Sequence, residues 1–138
     1  FEISGAPWIQ PLELAKRLGQ IDLPGAVFRP TYFTPTFHKW SSQMIGGIQI
    51  HVVDRRAFRP FRTGIALLIT YREMGGARFQ WKEPPYEYEY ERLPFDILCG
   101  TDKVRKQIEA EASLEEIEHS WQDKLQQFRE IRQKYLLY

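Results

Sequence analysis

The feature that most constrains this chain is the run at residues 46–55, GGIQIHVVDR. Two glycines lead into an alternation. Ile48, Ile50 and Val52 fall on one face, and Gln49, His51 and Val53 on the other. A period of two belongs to a strand, and its apolar set must turn toward a core. The opposite face poses the functional question. A glutamine and a histidine side by side before a charged turn make either a solvated edge or the wall of a polar site.

The rest of the chain supplies helices around this strand. PLELAKRLG predicts a short helix: Pro11 suits its first turn, Leu12, Ala15 and Leu18 share a face, and Gly19 suits the stop. LPGAVFRPTYFTPTF reads as extended, with Pro30 and Pro35 breaking the strand or confining it to an edge. PFRTGIALLITYREM predicts a buried central helix ended by Gly75 and Gly76, with Gly64 inside it marking a close contact. Tyr86, Tyr88 and Tyr90 alternate with Glu87, Glu89 and Glu91, as an edge strand or an extended arm. Thr101 can cap a helix containing Val104 and Ile108. Ser113 with Glu116 has the spacing of a capping box. Leu114, Ile117, Trp121, Leu125, Phe128 and Ile131 then recur every three or four residues, predicting one long C-terminal helix with a solvated charged face. The apolar ending RQKYLLY is expected to dock. The expected class is α+β: two to four strands in a small mixed sheet, a buried central helix and a long C-terminal helix.

Composition removes several functions. At 138 residues and 43% hydrophobic, the chain has the size and material for a single domain with a real core. Nineteen basic residues against eighteen acidic leave no field to recruit nucleic acid or an anionic membrane. No apolar run approaches the ~20 residues that span a bilayer. Cys99 is alone, so no disulfide forms within the chain, and it reads as a buried structural thiol. There is no glycine-rich phosphate loop, no G-x-S-x-G, no H-E-x-x-H and no C-x-x-C. His38, His51 and His119 lie far apart. Neither a metal nor a cofactor is expected. Asp54 reads as a cap of the turn that follows the strand. Glu2 is a lone carboxylate, whereas glycoside cleavage usually needs two. The opening FEISGAPW has no Met and is already strand-like, so the chain is expected to be cut from a longer protein.

Tyr32, Thr34, Thr36 and His38 are more suggestive. They interleave with Phe33, Pro35, Phe37 and Lys39, and Trp40 follows. Rings can cover the apolar face of a pyranose while hydroxyls and an imidazole bond its hydroxyl groups. Aromatic residues of a core are the plainer reading.

FEISGAPW, FRPTYFTPTF, GGIQIHVVDRRAFRPFRTG, PPYEYE, DILCGTDKVR and the terminal YLLY occur in this order from residue 1 to residue 138. Together they resemble the C-terminal part of the YbbC-like, or NamZ, family of bacterial exo-β-N-acetylmuramidases. The resemblance implies a larger N-terminal Rossmann-like part preceding this domain. It implies a glycoside hydrolase that removes N-acetylmuramic acid from the non-reducing ends of peptidoglycan fragments, in a cleft between the two parts. The catalytic glutamate would come from the N-terminal part, so this chain would hold no catalytic residue and be inactive alone. The implied partners are muramic-acid-terminated saccharides and the N-terminal domain, and the implied location is outside the bacterial cytoplasm. On that view Gln49 and His51 point into the cleft, Tyr32, Thr34 and Thr36 line the same wall, and Ile48, Ile50 and Val52 pack on the central helix. Arg62, or else Arg55 or Arg59, would pair with the lactyl carboxylate of muramic acid. His38, Trp40 and the tyrosine arm receive no role. The alternative is a non-catalytic carbohydrate- or protein-binding module. A surface built for the other part should stand out as an exposed apolar patch.

Overall fold

The alternating run is the middle strand of a three-stranded sheet. The structure is a computed structural model that describes residues 2–137. It divides into two compact units, Phe1–Gln80 and Trp81–Tyr138. In the first, β1 (Ile3–Ala6), α1 (Pro11–Leu18), β2 (Ala26–Phe33), β3 (Ile45–Val52) and α2 (Pro60–Gly75) follow in chain order, closed by a 3-10 turn at Gly76–Arg78. The strand order is β1–β3–β2, antiparallel throughout. The class is α+β as expected, and within it the sheet contains no parallel pair.

Residues paired across an antiparallel ladder share a face. Ile48 pairs with Ser4 and Pro30, and Gly46 with Ala6 and Tyr32. Both helices lie against this face. The Tyr71 hydroxyl of α2 donates to Ser4 Oγ at 3.0 Å. A side chain at Gly46 would strike the Ile9 carbonyl and the Pro11 ring where α1 begins, and one at Gly47 would strike the Ser4 carbonyl of β1. The two glycines that open the strand are therefore there for close backbone approach. Leu14, Leu18, Ile48 and Ile65 are fully buried, each contributing about 1.5–3 kcal/mol of transfer free energy. Burial fades along β3, from Ile48 through half-buried Ile50 to exposed Val52. The buried face of α1 is Pro11, Leu14 and Leu18, and Leu12 is exposed. Seating Pro11 against Gly46 sets that rotation.

α2 begins on Pro60 and ends at Gly75 as its sequence predicts. The close contact expected at Gly64 does not exist, because a Cβ there would meet nothing within 4 Å. Gly64→Ala is accordingly expected to stabilise the protein by about 0.5–1 kcal/mol through reduced freedom of the unfolded chain. The urea midpoint should rise at unchanged slope; a lower midpoint would show that the site is not open.

The second unit is helical: α3 (Pro94–Cys99), α4 (Lys103–Glu109), α5 (Leu114–His119) and α6 (Gln122–Gln133). α3 is an addition to the sequence expectation. Pro94 starts it, and Gly100, at a left-handed φ of 69°, stops it. Arg105 of α4 grips Asp96 of α3 through Nε and Nη2, both at 2.9 Å, and reaches Glu109 at 3.1 Å. Val104, Ile108, Leu114 and Ile117 are buried, with α4 touching both of its neighbours. The capping box is made: Ser113 Oγ accepts from the Glu116 N–H at 3.2 Å, and the Glu116 carboxylate accepts from the Ser113 N–H at 2.8 Å.

The single long helix is two helices. Ser120 Oγ donates to the Ile117 carbonyl at 2.7 Å and the Gln122 amide to the Glu118 carbonyl at 3.2 Å, so side chains take carbonyls at the end of α5. No residue of α6 is buried, and Tyr135, Leu136 and Leu137 are exposed, so the described part of the ending does not dock. The tyrosine run is neither strand nor arm but a turn. Tyr86 and Glu89 exchange backbone hydrogen bonds at 2.9 and 3.0 Å. The Glu89 carboxylate accepts from the Glu91 and Arg92 N–H groups and from Arg92 Nε. These donors bring it down to about 2.

Candidate functional site

Both helices lie on one side of the sheet, and the other face is covered at its Ile45 and Gly47 end but open from Gln49 to His51. β3 contributes Gln49 and His51, β2 contributes Val27, Arg29 and Thr31, and β1 contributes Ile3. Arg29 and Ile3 flank Gln49, and Val27 stands beside His51. Ile3, Val27, Arg29 and His51 are exposed, and Thr31 and Gln49 are half-buried. Arg29 Nη2 donates to Gln49 Oε1 at 2.6 Å. This short charge-assisted bond holds the carbonyl end of the amide against the guanidinium and leaves its NH2 end to donate elsewhere. Arg29 is missing from the sequence expectation. Its signal was the alternation of Val27, Arg29 and Thr31 with Phe28 and Pro30, the same period that marks β3.

The other expected residues are not all gathered here. Tyr32 pairs with Gly46, which puts it on the face of Ile48 rather than that of Gln49 and His51, although it is 60% exposed. Thr34 and Thr36 are exposed in the loop after β2, where the Thr36 carbonyl accepts from Ser41 Oγ at 3.1 Å. Arg62 is only 5% exposed, and its Nε donates to the Asp22 carbonyl at 2.9 Å, bracing the segment that leads into β2. Arg55 and Arg59 are exposed after β3. Asp54 caps the turn there, accepting from the Arg56 and Ala57 N–H groups at 2.8 and 3.2 Å. His38, Trp40 and Ser42 all adopt left-handed backbone, at φ near 60°. Trp40 meets Trp8 edge to face at 5.6 Å, with Lys39 Nζ 4.5 Å from its own ring centre, so these residues fold the loop back on β1's exit.

Burial, together with the charge of Asp96, pushes the Cys99 thiol up, the opposite of an activated nucleophile. Among the described residues no three of His, Cys, Asp and Glu gather to hold a metal. A groove of about 470 Å³ lies between α1 and α2, and there Arg17 is already engaged, reaching Glu13 at 2.8 Å and Glu73 at 3.7 Å. The open face differs in kind. It presents a guanidinium, an amide, an imidazole and a hydroxyl beside two aliphatic side chains. Such a surface has the groups needed to bind and orient a hydroxylated or anionic ligand, and it holds no carboxylate pair for glycoside cleavage.

Residues 1–138 match the family model described as Exo-beta-N-acetylmuramidase NamZ, C-terminal. The chain is 37% identical over 141 residues to the peptidoglycan beta-N-acetylmuramidase NamZ of Bacillus subtilis (strain 168), a match that covers 100% of this chain and 31% of that protein. Its fold is similar to that of a DUF1343 family protein from Bacteroides fragilis NCTC 9343, solved by crystallography, with a TM-score of 0.81 over 99% of this chain and 35% of the other. At 22% identity that likeness speaks for the fold alone. The chain thus spans about a third of the length of either relative.

Proposed function

The chain belongs to the family of C-terminal domains of the exo-β-N-acetylmuramidase NamZ, and from that premise we propose that it is the C-terminal domain of a bacterial glycoside hydrolase. The whole enzyme removes N-acetylmuramic acid from the non-reducing ends of peptidoglycan fragments and works outside the cytoplasm. The two compact units together make up this one domain, and a larger Rossmann-like part of the same protein supplies the catalytic acid. The open sheet face is the wall of the substrate cleft. Gln49 and His51 position the sugar, because a reacting sugar held loosely forfeits most of the rate that orientation supplies. Tyr32, Thr34 and Thr36 form a second strip at the far end of β2, and Arg62 serves by holding the segment that leads into β2.

The observation that carries this reading is the open face itself: donors bridged at 2.6 Å in the middle of a sheet, with no carboxylate in register. The test is release of N-acetylmuramic acid from a muramic-acid-terminated disaccharide by the full-length protein. Gln49→Ala and His51→Ala should each lower kcat/KM on the order of 10- to 100-fold while the fold is retained. Silent substitutions in an active protein would sink the wall assignment. A full-length protein that binds the disaccharide and releases nothing would favour a non-catalytic carbohydrate-binding module.

A further inference from the structure

The polar groups on the open face centre on one cation, Arg29. Arg29 spends one of its five N–H groups on Gln49, and among the described residues its side chain has no other partner. Because Gln49 Oε1 accepts from the guanidinium, the NH2 group of the same amide is left to donate to a ligand. His51 stands two residues along the same strand and diagonal to Arg29, within reach of a common ligand. No acidic residue is in register with them: the positions that share the face on β1, β2 and β3 are Ile3 and Gly5, then Val27, Arg29, Thr31 and Phe33, then Ile45, Gly47, Gln49 and His51. Glu2 pairs through its carbonyl with the Ile50 N–H at 2.7 Å, which turns its side chain to the opposite face. Elsewhere this chain neutralises its well-placed arginines. Arg17 has Glu13 and Glu73, Arg92 has Glu89, and Arg105 has Asp96 and Glu109. Arg29 has a neutral amide that anchors it without cancelling its charge.

We infer that Arg29, held by Gln49, is a carboxylate clamp and the residue that selects for the acidic side group of the sugar. This rests on the reading of the open face as a substrate wall. A guanidinium fixed at one corner presents its remaining N–H groups as a planar fork that fits a carboxylate with two parallel bonds. The Gln49 amide and the His51 imidazole supply further donors at its edge. N-acetylmuramic acid differs from N-acetylglucosamine by a lactyl ether that ends in a carboxylate, and that group is what a fork of this kind tells apart. A carboxylate elsewhere on a glycan fragment has the same chemistry, so the test must change the lactyl group alone.

The full-length protein is assayed on three disaccharides that differ only at the non-reducing residue: one with the lactyl carboxylate, one with it converted to a neutral methyl amide, and one without the lactyl group. The unsubstituted protein should favour the carboxylate over the amide by on the order of 10- to 100-fold in kcat/KM, the range expected for charge-assisted hydrogen bonds. Arg29→Met should bring that ratio close to one, mainly through KM on the carboxylate substrate. Gln49→Glu keeps a partner for Arg29 but places a negative charge at the clamp, and it should turn the preference toward the amide. An unsubstituted protein without preference, or an Arg29→Met protein that slows both substrates equally, overturns the clamp while leaving the muramidase reading in place. A folded protein that releases muramic acid from neither overturns both.

Discussion

Replacing Gly47 with alanine should destabilise the sheet unit by about 3 kcal/mol or more, enough to unfold much of it near 37 °C. The new methyl would overlap the Ser4 carbonyl oxygen and crowd the Gly5 Cα of the paired strand. These are backbone atoms in a hydrogen-bonded ladder, so no rotamer change relieves the overlap. Either β1 moves away from β3 or the methyl is never accommodated. Gly46→Ala should behave alike, because its methyl would meet the Ile9 carbonyl and the Pro11 ring that seats α1. Urea unfolding followed by far-ultraviolet circular dichroism reads the loss directly. A change within 0.5 kcal/mol at both positions would mean that the strands are not packed as closely as described.

The second large effect belongs to alkaline pH. Tyr71 is 8% exposed, and its hydroxyl donates to Ser4 Oγ. Burial pushes that hydroxyl up to about 12, against the downward pull of the Ser4 contact. In the unfolded chain a tyrosine titrates near 10. The folded protein therefore holds this proton more tightly than the unfolded chain does. The stabilisation is complete below pH 10 and is lost as pH rises through 12. Two pKa units correspond to about 2–3 kcal/mol. Unfolding free energy should thus fall more steeply from pH 10 to 12 in the natural protein than in Tyr71→Phe, whose curve lacks this component. Identical slopes for the two would show that the hydroxyl is not held as the structure places it.

What could be read from the sequence was what depends on period and punctuation. The β3 alternation, the proline starts of α1 and α2, the glycine end of α2 and the Ser113–Glu116 capping box are local, and each forms where its residues predict. The break at Ser120 was hidden because the apolar spacing runs on through it. What interrupts the helix is a hydroxyl and an amide competing for backbone carbonyls, which spacing does not record. α3, six residues long, is too short to show a helical period. In the candidate site, Gln49 and His51 share a face by arithmetic on one strand. Arg29 joins them only through the register between β2 and β3, and the same register sends Tyr32 to the other face. Neither strand carries that information alone. Arg62 was expected to meet the lactyl carboxylate, but its head donates to a backbone carbonyl from a buried position that no local pattern announces.

A sheet of three strands in the order β1–β3–β2 has two outer strands, and both are poor templates for growth. β1 is four residues long, and β2 carries Pro30, which has no N–H to offer. A strand from another molecule laid along either border finds a short ladder on one side and an interrupted row of donors on the other. The central strand can therefore keep a face bare of its own helices, as the proposed ligand wall requires, without turning the sheet into a seed for fibrils.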